Sequence, residues 1–216
     1  MKQTFLVPAL LLLHLSVLAI NPSREYTMTP ASFQLTYTEH RLATSDSAEL
    51  AVWVLEPDTD VKSPYTFIIA GSDAGNMGYS LPYAFYLLQQ GIRVITFDYR
   101  GFGASSDFAH RADYLLHEEY ITDMETVLEW VNAQDFSGKT GVLAFSMGTW
   151  IARAAYPVQP FDAFVAEGLI LRPELVIEQI HAAKNEQLLL PDNYAADRIA
   201  TLSWPIPTLV FASRAD

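Results

Sequence analysis

Five short apolar runs separated by helix-period segments constrain this chain more than any other feature. Residues 65–70, 92–97, 141–145, 163–166 and 208–211 are almost continuously hydrophobic, and the first four close on Gly71, Asp98, Ser146 and Glu167. Because such runs show no alternation of apolar and polar residues, they suit strands covered on both faces. Between them, residues 79–90 carry Leu81, Phe85 and Leu88 at helical spacing and stop at Gly91, a C-terminal cap signal. Residues 120–133 turn Ile121, Met124, Leu128, Trp130 and Val131 inward, and residues 146–156 and 174–184 read as two more helices. Strands alternating with helices imply an α/β domain with a mostly parallel, doubly wound sheet and right-handed crossovers. Ligands of such sheets bind beyond the carboxyl ends of the strands. The chemistry is therefore expected at Gly71, Asp98, Ser146, Glu167 and whatever follows Phe211.

Ahead of these runs, residues 33–37 and 50–55 alternate apolar with polar around the turn Thr44-Ser45-Asp46-Ser47. This predicts a half-exposed antiparallel hairpin at the start of the domain. No repeat or linker interrupts residues 26–216, which are read as one folding unit. A formal charge of −12 with no run of Lys or Arg repels phosphate backbones and excludes nucleic acid as a partner. The absence of Cys excludes disulfides, Cys-based zinc sites and a Cys nucleophile. At the N-terminus, Lys2 precedes an apolar stretch over residues 5–20 broken only by Pro8, His14 and Ser16, and the polar segment 21–25 follows it. With Val17-Leu18-Ala19 as a small-residue cleavage site, residues 1–20 read as an export signal, hence a periplasmic or extracellular location. An uncleaved anchor that associates with a membrane is the alternative.

The densest chemical signal is Ala144-Phe145-Ser146-Met147-Gly148 at the end of the third apolar run. Attack on an acyl carbon needs an exposed oxygen nucleophile, and a sharp strand-to-helix turn provides that exposure if the residues two before and two after it are small. Ser146 would also sit at a helix N-terminus, where free amides and the helix dipole favour negative charge. The pentapeptide resembles the nucleophile elbow of the α/β-hydrolase superfamily, with Ala144 in place of the first Gly. Two further stretches are similar to that superfamily: Ile69-Ala70-Gly71-Ser72-Asp73 after the first run, and Asp98-Tyr99-Arg100-Gly101-Phe102-Gly103-Ala104-Ser105 after the second.

The resemblance implies the α/β-hydrolase fold and a serine hydrolase of esterase, lysophospholipase or serine aminopeptidase type. It implies Ser146 as nucleophile, the backbone N–H groups of Ser72 and Met147 as oxyanion hole, and Asp98 and Arg100 as supports for nearby loops without a catalytic role. The segment from Pro207 to Asp216 is similar to the strand and turn that deliver the family's acid, which makes Asp216 that acid and Glu167 its substitute. Substrates are then small-molecule acyl esters or amides, and no metal or organic cofactor is required. In this fold the base is a His that follows the acid, and none does here. The expectation is a chain that lacks the last strand and helix of the fold and has little hydrolase activity alone. The alternative is a non-catalytic binding protein on the same scaffold. His110 and His117 are the substitutes to weigh as base, and Leu169, Ile170, Leu171, Leu188, Leu189 and Leu190 read equally as an acyl pocket or as helix core.

Overall fold

The computed structural model describes residues 19–58, 63–136, 138–192, 194–200 and 202–212. In chain order the elements are β1 (Asn21–Pro22), β2 (Thr36–Ala43), β3 (Glu49–Glu56), β4 (Tyr65–Ala70), β5 (Ala74–Gly75), α1 (Leu81–Gln89), β6 (Arg93–Phe97), α2 (Glu119–Ala133), β7 (Lys139–Phe145), α3 (Met147–Ala155), β8 (Ala163–Glu167), α4 (Pro173–Lys184), α5 (Ala196–Ala200) and β9 (Thr208–Phe211). Seven strands make one sheet in the order β2-β3-β6-β4-β7-β8-β9. Pairing is antiparallel from β2 to β3 and from β3 to β6, and parallel from β6 through β4, β7 and β8 to β9. This is the mostly parallel sheet that the alternation of runs and helices predicts, with the antiparallel hairpin at one edge.

The continuous hydrophobicity of the central strands follows from two cores, one on each face of the sheet. Side chains alternate across a strand, so in β4 Ile68 and Ala70 join the core beneath α2 and α3, while Ile69 joins the core beneath α1. In β3 Leu50, Val52 and Val54 face the first core, and Ala51, Trp53 and Leu55 the second. The hairpin is present, with two differences from expectation. Its first strand starts at Thr36, because Pro30–Phe33 form a 3-10 turn in which the side chain of Ser32 bonds both the backbone N–H and the carbonyl of Thr29. Its second strand is not half-exposed: β3 lies between β2 and β6 with helices over both faces, and residues 50–55 are all buried.

The expected leader lies outside the described residues except for Ala19 and Ile20, and Ile20 is 2% exposed within the first core. Among the described residues, no helix is long and apolar enough to cross a membrane. The sheet therefore sets the carboxyl ends of β4, β6, β7, β8 and β9 on one edge, and the candidate residues collect there.

Candidate active site

At the junction of β7 and α3 the backbone of Ser146 adopts φ +46°, ψ −115°. A non-glycine residue in that region costs on the order of 1–3 kcal/mol and persists only where its surroundings over-determine it. Here they do so from three sides. The Ser146 N–H donates to the Glu167 carbonyl at 2.9 Å, and the Ser146 carbonyl accepts from the Thr149 N–H at 2.9 Å and from its hydroxyl at 2.6 Å. Gly148 packs so tightly that a Cβ there would stand 2.5 Å from the carbonyl oxygens of Ala70 and Gly71. Two residues before the serine, Ala144 is fully buried and in register with Ala70 on one side and Ala166 on the other. Three alanines abreast leave the strands room to converge on the turn, so alanine serves where the superfamily commonly has glycine.

The loop after β4 comes against this helix end, and Ser72 and Ser146 line one cavity. Neither the Ser72 N–H nor the Met147 N–H finds an acceptor among the described residues, while the Ser72 hydroxyl donates to Asp73. A strap at the start of the described chain holds the loop. The pair β1 and β5 is parallel, with Asn21 N–H to the Asp73 carbonyl at 2.8 Å and Ser23 N–H to the Gly75 carbonyl at 2.7 Å. Sequence reading missed this strap, since a two-residue pairing has no periodicity to detect.

Asp98 and Arg100 support loops. The buried carboxylate of Asp98 accepts from the Met77 and Ala104 N–H groups and from the Tyr26 hydroxyl, and burial pushes its pKa up. Arg100 is 5% exposed and forks onto Asp123, at 2.9 and 2.7 Å, and onto Asp46, at 2.6 and 2.9 Å. Those bonds fix the turn that carries Tyr99 and Phe102 into the wall of the cavity.

Two cavities meet at Ser146. One, of about 450 Å³, is lined by Gly71, Ser72, Phe145 and Gly168 together with Glu167 and several rings. The other, of about 220 Å³, is lined by Met147, Ile170, Val176, Ile180 and Leu188 among others. Of the six apolar residues read either as pocket or as core, Ile170 and Leu188 face the smaller cavity, Leu169 and Leu190 pack against the core, and Leu171 and Leu189 are exposed. Glu167 ends β8 in register with Phe145. Asp216 lies outside the described residues.

No histidine lines either cavity among the described residues. His110 and His117 instead share a ring cluster with Phe108 and Tyr120, with His110 5.9 Å from Phe102. The His117 Nε2 accepts from the Arg111 N–H at 3.4 Å, and the His110 Nε2 is buried with no partner among the described residues. Burial, then neighbouring His117 and Arg24, holds the His110 pKa down at about 4, and burial lowers that of His117. The sign follows from proton uptake. Between about pH 6.5 and 4 the unfolded chain binds a proton that folded His110 refuses, so stability falls as the pH drops through that window. With allowance for the partial exposure of the ring, the loss is about 1–2 kcal/mol. Urea midpoints measured across that range should fall less steeply in His110→Phe, and an unchanged slope would remove His110 as the cause.

A family model described as Serine aminopeptidase, S33, matches residues 74–184. Protein bem46 of Schizosaccharomyces pombe is 29% identical over 136 residues, covering 61% of this chain and 43% of its own. The uncharacterized protein YfhR of Salmonella typhimurium is 27% identical over 212 residues, covering 90% of this chain and 68% of its own. The chain thus spans less than half of the yeast relative. Among solved structures, an esterase of Pyrococcus furiosus superimposes with a TM-score of 0.63 at 22% identity, over 88% of this chain and 75% of its own. An α/β serine hydrolase without a lid from Xanthomonas campestris does so with a TM-score of 0.56 at 18% identity, over 82% and 84%. At those identities the likeness is one of fold.

Proposed function

Because this chain belongs to the serine aminopeptidase S33 family of the α/β-hydrolases, we propose that it is a serine hydrolase that cleaves carboxylic esters, with amides as the second class, through an acyl-enzyme on Ser146. The observation that carries the reading is the strained backbone of Ser146, which sets the residue at the meeting point of two cavities. In this reading the Ser146 Oγ attacks the carbonyl carbon and its proton passes to an imidazole from outside the described residues. Asp216 orients that imidazole, with Glu167 as the alternative acid. The amides of Ser72 and Met147 bind the oxyanion, each donor being worth about 3 kcal/mol in the transition state. Collapse expels the alcohol, which takes the proton from the imidazole, and water then hydrolyses the acyl-enzyme. No metal or organic cofactor takes part.

The test is labelling by a fluorophosphonate probe of the protein expressed from its complete reading frame. The expected result is one modified peptide containing Ser146 and no labelling of Ser146→Ala. Labelling that persists in the variant would put the nucleophile elsewhere. An unlabelled wild type would favour a non-catalytic binding protein, a reading supported by the lack of a histidine at either cavity among the described residues. Residues 1–20 belong to the same proposal as an export signal, and a mature N-terminus upstream of Ala19 would count against cleavage there.

A further inference from the structure

The two cavities that share Ser146 have walls of different chemistry. The larger is a cage of rings from Tyr79, Tyr83, Phe97, Tyr99, Phe102 and Phe145. Tyr83 leans on Phe145 with centroids 4.5 Å apart, and Tyr99 meets Phe102 edge to face at 5.9 Å. Tyr79 and Tyr83 are 51% and 43% exposed, so both keep ring surface for an incoming group. Tyr79 holds its place by lying over Gly75, where a Cβ would come within 2.7 Å of the ring. The smaller cavity contains no aromatic ring; its apolar wall includes Leu115, Leu116, Ile170, Val176, Ile180 and Leu188, and the charged residues Asp73, Lys184 and Glu186 also line it.

Size and bonding restrict the occupants. About 450 Å³ lies within the usual range for small-molecule sites, and ring faces favour offset or edge-on contact with another ring. About 220 Å³ equals roughly seven water volumes, which suits a flexible chain better than a substituted ring. Two of the polar side chains in the larger wall are already bonded within the fold, whereas the Tyr99 hydroxyl is buried without a partner among the described residues. The Asn76 amide donates to Ser23 and Glu25 and accepts from Gly78, and Asp98 is held as described above.

Resting on the reading of Ser146 as nucleophile, we propose that the substrates are bipartite esters, with a planar aromatic group on one side of the carboxyl carbon and an unbranched aliphatic chain on the other. The aromatic part occupies the larger cavity, the chain occupies the smaller, and the carboxyl carbon lies over Ser146 between them. Val176 and Ile180, one turn apart on α4, set the chain length accepted.

The experiment uses the complete protein with two ester series, phenyl esters from acetate to octanoate and alkyl benzoates from ethyl to octyl. In one series kcat/KM should rise by about tenfold or more with chain length, since each added methylene in a fitted pocket carries a large discrimination, and then fall when the cavity is full. Ile180→Phe, on a helix that is largely exposed, should move the optimum to shorter chains. Tyr83→Ala should reduce turnover of the phenyl or benzoyl member several-fold more than that of its all-aliphatic counterpart. Flat chain-length profiles, or an optimum unmoved by Ile180→Phe, overturn the proposal. Fluorophosphonate labelling separates the two levels. A labelled Ser146 with flat profiles rejects the bipartite substrate alone, whereas no labelling and no turnover reject the serine reading with it.

Discussion

Ser146→Gly is expected to lose about 10⁴-fold or more in kcat and to gain about 1 kcal/mol in folding stability. The first half follows from the proposed role of Ser146, whose nucleophilic oxygen the change removes. In triad hydrolases the nucleophile and base act as a unit, so loss of one member forfeits most of the rate. The second half follows from the backbone. At φ +46°, ψ −115° a side chain is strained by about 1–3 kcal/mol, whereas glycine enters such regions freely. Against that gain stands the extra entropy of glycine in the unfolded chain, about 0.5–1 kcal/mol. The net stays favourable because the three hydrogen bonds that pin the turn use backbone atoms of residue 146 and survive the change. Ser146→Ala is the matched control, since it loses the hydroxyl and retains the Cβ. Turnover should vanish in both variants, and the urea midpoint should rise only in the glycine variant. A glycine variant no more stable than the alanine variant would show that the turn stores no strain.

This turn was legible because its requirements are local. Ala144 and Gly148 are small for reasons that act within five residues, and the strain they permit falls on the residue between them. The parallel strands were legible for the opposite reason: cores on both faces erase the period of two, and an unbroken apolar run is what remains. The start of β2 was not, because residues 33–37 alternate as a strand would, while Thr29, Pro30 and Ser32 close a competing 3-10 turn whose bonds come first along the chain. Nor was the division between an aromatic and an aliphatic cavity. It depends on α4 approaching the end of β7, and the half-buried Val176 and Ile180 have no partner near them in sequence. Arg100 could be placed near the site from its motif, but its partner could not. The one available signal was an acid within the inward face of α2, where Asp123 falls among Tyr120, Met124 and Val127.

That acid is the position at which a single substitution should cost the fold most. Asp123 is fully buried, and its two oxygens accept the Arg100 N–H at 2.9 Å, the Nε at 2.9 Å and an Nη at 2.7 Å. Burial pushes its carboxyl up to about 6 against the pull of Arg100, so at neutral pH the pair is charged. Asp123→Ala would leave a guanidinium that is 5% exposed and a buried backbone N–H without their acceptor. Removing one partner of a buried pair costs about 3–5 kcal/mol, a large share of the 5–15 kcal/mol that holds a domain together, and here only the bonds to Asp46 would remain. Asp46 cannot take over, because it reaches the guanidinium only through the two Nη atoms and its side chain is 43% exposed. Asp46→Ala should accordingly cost only about 1 kcal/mol. Asp123→Asn retains the shape and one good acceptor, and should fall between the two. Urea unfolding of the three variants at pH 7 would test this order. The damage should also reach the site, since the turn that Arg100 secures carries Tyr99 and Phe102 into the aromatic wall. A loss for Asp123→Ala no greater than for Asp46→Ala would mean that water relieves the buried charge and that the pair does not anchor the loop.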